Sequence, residues 1–279
     1  MQSNDLPYRE LANTIILQAV EDYRNALNGI SYNKYPAKIV RKELEEFFLS
    51  DYFKTLTSVS GGYLIQKLKQ EHFEKERNKM KVTLIQETPN PIETISTIAS
   101  ICYDSDPKNP LGLVKHLYSN GHHSVFEHIH FTFKIEGISR ACSHQLVRHR
   151  HCSFTQRSQR YCSEDGFKFV SPPTIDECQF ADGIDSIKEY YDMYQKNNIP
   201  NEDARYILPN ACTTELYLSC NLRELIHMAN ERLCSRAQWE IRELFKQIIA
   251  LIDPKLHFML VPKCKSGRII CNSPCGVKK

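Results

Sequence analysis

Apolar residues recur at helical spacing along the first quarter of the chain. Leu11, Ile15, Ala19, Tyr23 and Ala26 make one stripe, with Gly29 placed as its stop. Ile39, Val40, Leu44, Phe47 and Phe48 make a second, and Tyr63, Leu64 and Leu68 open a third that runs into the charged segment Lys69 to Lys81. Residues 1–80 therefore read as an all-α module whose charged end is a linker or a solvated helix. The pattern changes at Val82-Thr83-Leu84-Ile85, a β-branched run ended by Pro89 and Pro91, taken as a first strand. Ile92 to Tyr103 and Leu113 to Tyr118 read as helices. Ser124 to Glu136 alternates through Val125, Ile129, Phe131, Phe133 and Ile135 after a helical turn, and His130 to Val147 is apolar-rich and strand-compatible. Ile184 to Lys196 is amphipathic, Asn201 to Ile207 opens another helix, and Leu222 to Ile252 repeats at helical spacing, with Trp239 among its apolar positions. On that spacing Arg223, His227 and Arg232 share one face only if the helix breaks or bends. The outcome is an α+β fold: a mixed, sheet-containing domain over residues 81–262, the α-helical module over 1–80 in front of it, and a cysteine-containing tail over 263–279.

Length and charge narrow the picture. The 279 residues can bury one substantial core with room for a small second module. A formal net charge of +3 is too small to argue for nucleic acid on global grounds, so basic character must be local. No signal peptide is read, and no stretch approaches about 18 uninterrupted apolar residues, so no membrane span is expected. Eleven cysteines without a framework suit reduced thiols and a cytoplasmic protein.

The local basic character lies in residues 148–160, where Arg148, Arg150, Arg157 and Arg160 alternate with His149, His151 and hydroxyl and amide side chains, with no acid among them. Forked guanidinium donors with no neutralising neighbour in sequence suit phosphate. A solvated face or a nucleic-acid patch is the competing reading, in which Arg148 to Arg160 grips RNA or DNA phosphates. Against both stand Cys152, Phe154 and Tyr161 among the charges.

Arg148-His149-Arg150, seven residues and then Ser158 resembles the signature of the flavin-dependent thymidylate synthases. Upstream, Gly121-His122-His123-Ser124-Val125-Phe126-Glu127-His128 is similar to that family's Gly-His-x-Ser/Thr-x-Phe-Glu-His segment, and Gln145 precedes the arginines. Downstream, Glu202 to Pro209, Asn221-Leu222-Arg223, Arg232 and Ala237-Gln238-Trp239-Glu240-Ile241 follow in the family's order. The resemblance spans residues 81–262 and leaves out the first 80.

What the resemblance implies is reductive methylation of dUMP to dTMP, with FAD as cofactor, methylenetetrahydrofolate as one-carbon donor and NADPH as the nicotinamide reductant, in a homotetramer with shared active sites. A related flavin-dependent one-carbon transferase acting on another pyrimidine nucleotide is the nearest alternative. Arg232 aligns with the catalytic residue, and a permanent cation near O4 and N3 of uracil would stabilise its anion. Gln145, Arg148, Gln156, Arg157, Ser158, Gln159, Arg160 and Arg205 would join it around dUMP. Ser158 is assigned to binding, since no base stands at a recognisable triad spacing. The flavin set implied is Ser124, Glu127, Arg148, His149, Arg150, Gln156, Asn221, Arg223 and His227, with His122 facing flavin or folate. No Gly-x-Gly-x-x-Gly is present, so a dinucleotide-binding Rossmann reading is unsupported. Thr155 and Gln156 depart from the family's usual Asn/Ser and Glu.

Two groups invite a metal reading. His122, His123, His128 and His130 lack His-Glu-x-x-His spacing and a cysteine pair, and Cys264, Cys271 and Cys275 offer three thiolates without a Cys-x-x-Cys. No metal is assigned to either.

Overall fold

The computed structural model describes residues 6–32, 35–76, 80–102, 104–106, 108–267 and 271. They divide into two compact units. The first takes in the chain to Arg77 together with Ser171–Glu189, and the second takes in Asn78–Val170 and Tyr190–Lys279. The expected module was continuous and ended at residue 80, so the segment 171–189 is an addition that no local pattern announces.

In the first unit, helices α1 (Leu6–Leu27), α2 (Ala37–Leu49), α3 (Asp51–Leu56) and α4 (Gly61–Glu76) surround Ala19, Tyr23, Leu27, Phe48, Phe53 and Leu68. The aromatic rings meet edge to face, Phe48 5.6 Å from Tyr23 and 5.4 Å from Phe53, an arrangement that adds to their area burial. Gly29 ends α1 at φ +74°, as its position predicts. A Cβ at Gly61 would lie 1.8 Å from the Phe48 carbonyl oxygen, so only glycine allows α4 to start against α2. Leu11, Ile39 and Tyr63, expected in the buried stripes, are exposed. The second segment is tied in by charge. Lys69 reaches Glu45 at 3.1 Å and Asp182 at 3.8 Å, Arg41 reaches Asp185 at 3.4 Å, and Lys38 reaches Glu189 at 3.4 Å.

The second unit is built on a four-stranded antiparallel sheet in the order β1-β2-β4-β3, from β1 (Lys81–Glu87), β2 (His130–Ser139), β3 (Ser153–Gln156) and β4 (Thr213–Asn221). Period-two alternation decides its faces. Phe131, Phe133 and Ile135 of β2 and Leu216, Leu218 and Cys220 of β4 are buried. Thr132, Lys134, Glu215 and Ser219 stand on the other face, where Lys134 pairs with Glu215 at 3.7 Å and the Thr132 and Ser219 hydroxyls meet at 3.0 Å. The register of β2 against β4 slips between Glu136 and Ile138, and Gly137 sits at that bulge with φ +76°, which glycine takes without strain.

Helices α5 (Pro91–Ser100), α6 (Pro110–Asn120), α7 (Arg140–Leu146), α10 (Leu222–Arg232) and α11 (Trp239–Ala250) complete this core. The helix Glu177–Lys196, α8, passes from the first unit into the second at residue 190, and the short α9 (Asn201–Ala204) precedes β4. Each fully buried Val, Leu, Ile, Phe or Met contributes about 1.5–3 kcal/mol. Ile92, Val114, Leu225, Met228, Leu244 and Phe245 are among those that do so.

Two long readings divide. The strand-compatible stretch 130–147 is a strand only to Ser139, whose hydroxyl accepts from Cys142 N and so caps α7. The helical stretch 222–252 breaks at residues 233–238, where Gln238 caps α11 through the backbone N–H groups of Glu240 and Ile241. Among the described residues no helix is long and apolar enough to cross a membrane.

Candidate active site

α7 ends two residues before Arg148, so the Arg-His-Arg signature follows directly on its last turn, with His149 N donating to the Leu146 carbonyl at 3.2 Å. Arg148 and Arg150 point to solvent and His149 turns inward, only 7% exposed. Its partners come from α10. Arg232 Nε donates to His149 Nε2 at 2.9 Å and Arg232 Nη2 donates to the Gln145 carbonyl at 3.0 Å, so the last turn of α7 and the residues just after it hold the guanidinium from two sides. Glu224 Oε1 lies 3.4 Å from His149 Nδ1, and the His227 ring stands 5.8 Å away, edge to face.

Burial, then the positive charge of Arg232, hold the His149 ring neutral, with its pKa pushed down to about 4. Burial also lowers the Arg232 pKa, with Arg148 adding to the effect, but a guanidinium stays charged in a protein. The ligand atoms of His149, Glu224 and His227 lie within 4.8 Å of one another. A cation there would meet Arg232, and it would need lone pairs on both nitrogens of His149 at once. The cluster is therefore a polar relay rather than a metal centre.

Beside it opens a cavity of about 650 Å³ lined by His123, Glu127, His151, Asn221, Arg223, Glu224, Ile226, His227 and Asn230. That volume falls in the range of ligand pockets. Asn221 caps α10 by accepting from Glu224 N at 2.9 Å, while Arg223 pairs with Glu127 across the mouth. Arg223, His227 and Asn230 follow at i, i+4 and i+7 and share the cavity face of α10. The buried Oδ1 of Asn230 meets no protein donor, so the wall offers an acceptor. Arg232 lines a second cavity of about 330 Å³, with Asn230, Cys234, Cys264 and Cys271 among its walls.

The other arginines are not held in common with this cluster. Arg157 lies 3.3 Å from Glu164 and 3.9 Å from Glu215 and donates to the Ser163 carbonyl, and Arg160 reaches Glu202 at 3.0 Å with its guanidinium 5.3 Å over Tyr161. Arg205 donates to the Glu202 carbonyl at 3.1 Å. In the second half of the acid-free run Arg157 and Arg160 are thus neutralised by acids that lie close only in the fold, while Arg148 and Arg150 face solvent. Ser158 Oγ accepts from Arg160 N at 3.2 Å in a turn, and Gln159 Nε2 points to Cys212 Sγ at 3.9 Å. Gln156 is tied down by Ser143 and Thr214 at 3.0 and 3.2 Å. Ser124 and His122 are exposed at the start of the 3-10 turn Ser124–His128 that carries Glu127.

Sequence reasoning missed Glu224, His151 and Asn230. An acid three residues after a capping Asn, and the i+7 spacing from Arg223, were the available signals. Among the described residues the four histidines 122, 123, 128 and 130 form no metal cluster. Cys264 and Cys271 share the second cavity, and Cys275 lies outside the described residues.

An antiparallel sheet flanked by helices whose ends bring a half-buried arginine against a buried histidine, beside a polar, ligand-sized cavity, defines an α+β enzyme domain. Comparison with known proteins narrows this. A family model described as thymidylate synthase complementing protein matches residues 83–256. The flavin-dependent thymidylate synthase of Geobacter sulfurreducens is 36% identical over 225 residues, covering 72% of this chain and 97% of the relative. That of Pyrococcus horikoshii is 44% identical over 192 residues, covering 59% and 76%. The crystal structure of thymidylate synthase X from Helicobacter pylori, with FAD and dUMP, shares the fold at a TM-score of 0.58 and 22% identity over 64% of this chain and 97% of that one. The chain belongs to the family of flavin-dependent thymidylate synthases.

Proposed function

We propose that this protein methylates dUMP reductively to dTMP, with FAD as cofactor, methylenetetrahydrofolate as carbon donor and NADPH as reductant. The observation that carries it is the Arg232 guanidinium, anchored by His149 and Gln145 at the wall of the 330 Å³ cavity, with its remaining N–H groups left for a ligand. A planar cation so held stabilises a uracil anion at O4 and N3, which makes C5 the nucleophile. Because the anchors leave the guanidinium little freedom, the cation costs little reorganisation when negative charge develops.

The residues present fit a flavin: the 650 Å³ cavity offers the Arg223 cation, the capped start of α10 and the unmet Asn230 acceptor. Ser124, Glu127, Arg148, His149, Arg150, Gln156, Asn221, Arg223 and His227 would hold it, with His122 near flavin or folate. When bound, FAD supplies the two-electron chemistry that the side chains lack. Gln145, Arg148, Gln156, Arg157, Ser158, Gln159, Arg160 and Arg205 would bind dUMP. The contacts of Arg157, Arg160 and Arg205 with Glu164 and Glu202, away from Arg232, support a homotetramer in which one copy completes another's site. The free cysteines suit the reducing cytoplasm.

Anaerobic incubation of the purified protein with dUMP, NADPH and methylenetetrahydrofolate tests this. A yellow protein forming dTMP is the expected result. A colourless protein that leaves dUMP unchanged after FAD is added would overturn it.

A further inference from the structure

The Arg232–His149 bond imposes a condition on the imidazole. Nε2 can accept from the guanidinium only if it carries the lone pair, so the ring's one proton must sit on Nδ1. Nothing in an isolated histidine guarantees that tautomer. Glu224 faces Nδ1 at 3.4 Å and is itself 8% exposed, and a carboxylate there repels a lone pair on Nδ1 and attracts a proton. Its place is set by the fold of α10: Glu224 N is bound by the capping Asn221, which puts the carboxylate one turn inside the helix and opposite the end of α7.

The other charged or titratable groups around the ring are Arg232 and His227 on α10 and the solvent-facing Arg148 and Arg150 on its own segment. Glu224 is the acid among the groups named. We propose that Glu224 is a positioning residue, selecting the His149 tautomer that receives Arg232 and so aiming the guanidinium at the pyrimidine. It rests on the role given to Arg232 above, and it adds a carboxylate–imidazole–guanidinium chain, Glu224–His149–Arg232, in which only the last member meets substrate.

The flavin-loaded protein is tested in three ways. In the wild type, ¹⁵N NMR of the His149 ring, assigned by the signals lost in His149→Gln, should show Nδ1 protonated and Nε2 bare at pH 7; the reverse tautomer overturns the proposal without any change at Glu224. Glu224→Leu should lower kcat about tenfold to a hundredfold, the loss expected when a reacting group is misplaced by about 1 Å, while KM for dUMP moves less. Glu224→Gln keeps an oxygen acceptor and should recover most of that loss. Unchanged kcat in Glu224→Leu, or loss of flavin from it, overturns the proposal, the latter by making Glu224 a cofactor ligand. Arg232→Lys run beside them separates the two levels. If it turns over within a few-fold of wild type, the Arg232 role fails; if it is crippled while Glu224→Leu is not, only the positioning role fails.

Discussion

Replacing Glu240 by Leu should destabilise the second unit and loosen the segment that holds His149, although Glu240 touches no part of the cavity. Its carboxylate is 2% exposed and accepts from Ser139 N and from Ser139 Oγ, both at 2.6 Å. Ser139 in turn accepts from Cys142 N at the start of α7, so one acid of α11 fixes the corner where β2 becomes α7. Hydrogen bonds to a charged group contribute about 1.5–3 kcal/mol each, and leucine leaves the Ser139 N–H buried without a partner. The expected cost is about 3–5 kcal/mol, on the order of 10 °C in Tm for a unit of this size. Thermal melts of the flavin-loaded protein at pH 7 measure it. Glu240→Gln restores one acceptor and should lose about half as much. Because Gln145 and His149 lie at the far end of α7, kcat should fall along with Tm. A Glu240→Leu protein melting within about 2 °C of wild type, or a Glu240→Gln protein as stable as wild type, would refute the reasoning.

Arg232→Lys should retain FAD absorbance and lose turnover by about 100-fold or more, since an ammonium cannot bind His149, Gln145 and a uracil together; flavin content and dTMP formation decide it. Ser158→Ala should raise KM for dUMP more than it lowers kcat, and a trapped covalent adduct on Ser158 in mass spectrometry would contradict this. The fold holds His149 neutral at about 4 against its ordinary 6.5, so the unfolded chain takes up a proton in that window and the native ring does not. The stabilisation is therefore full above about 6.5 and is lost as pH falls toward 4, about 3 kcal/mol in all at about 1.4 kcal/mol per tenfold step. Urea midpoints at pH 7 and pH 5 should differ less in His149→Gln than in wild type, and equal differences would count against it. Removing residues 1–77 should leave a yellow, folded second unit, because its core contains no residue of the first, while Asp182, Asp185 and Glu189 lose Lys69, Arg41 and Lys38. A colourless or aggregated product would show the two cores to be interdependent.

The chain alone determined whatever depends on neighbours in sequence. Helical stripes from Leu11 to Leu68, the strand at Val82, the alternation Phe131-Phe133-Ile135 and the stop at Gly29 follow from periodicity and backbone freedom, and the motif order pointed to Arg232, His149 and Arg223. Strand β4 carried the same alternation through Thr214, Leu216, Leu218 and Cys220 without being read from it. Tertiary structure decided what depends on residues far apart. Glu164, Glu215 and Glu202 neutralise arginines that have no acid beside them in sequence, and Ser171–Glu189 joins helices more than a hundred residues upstream by ion pairs, Arg41 to Asp185 across 144 positions and Lys38 to Glu189 across 151. Glu224 meets His149 across 75 positions, and Glu240 meets Ser139 across 101. Coulomb forces and hydrogen bonds act over a few ångströms of space, and only the folded chain brings such pairs to that distance.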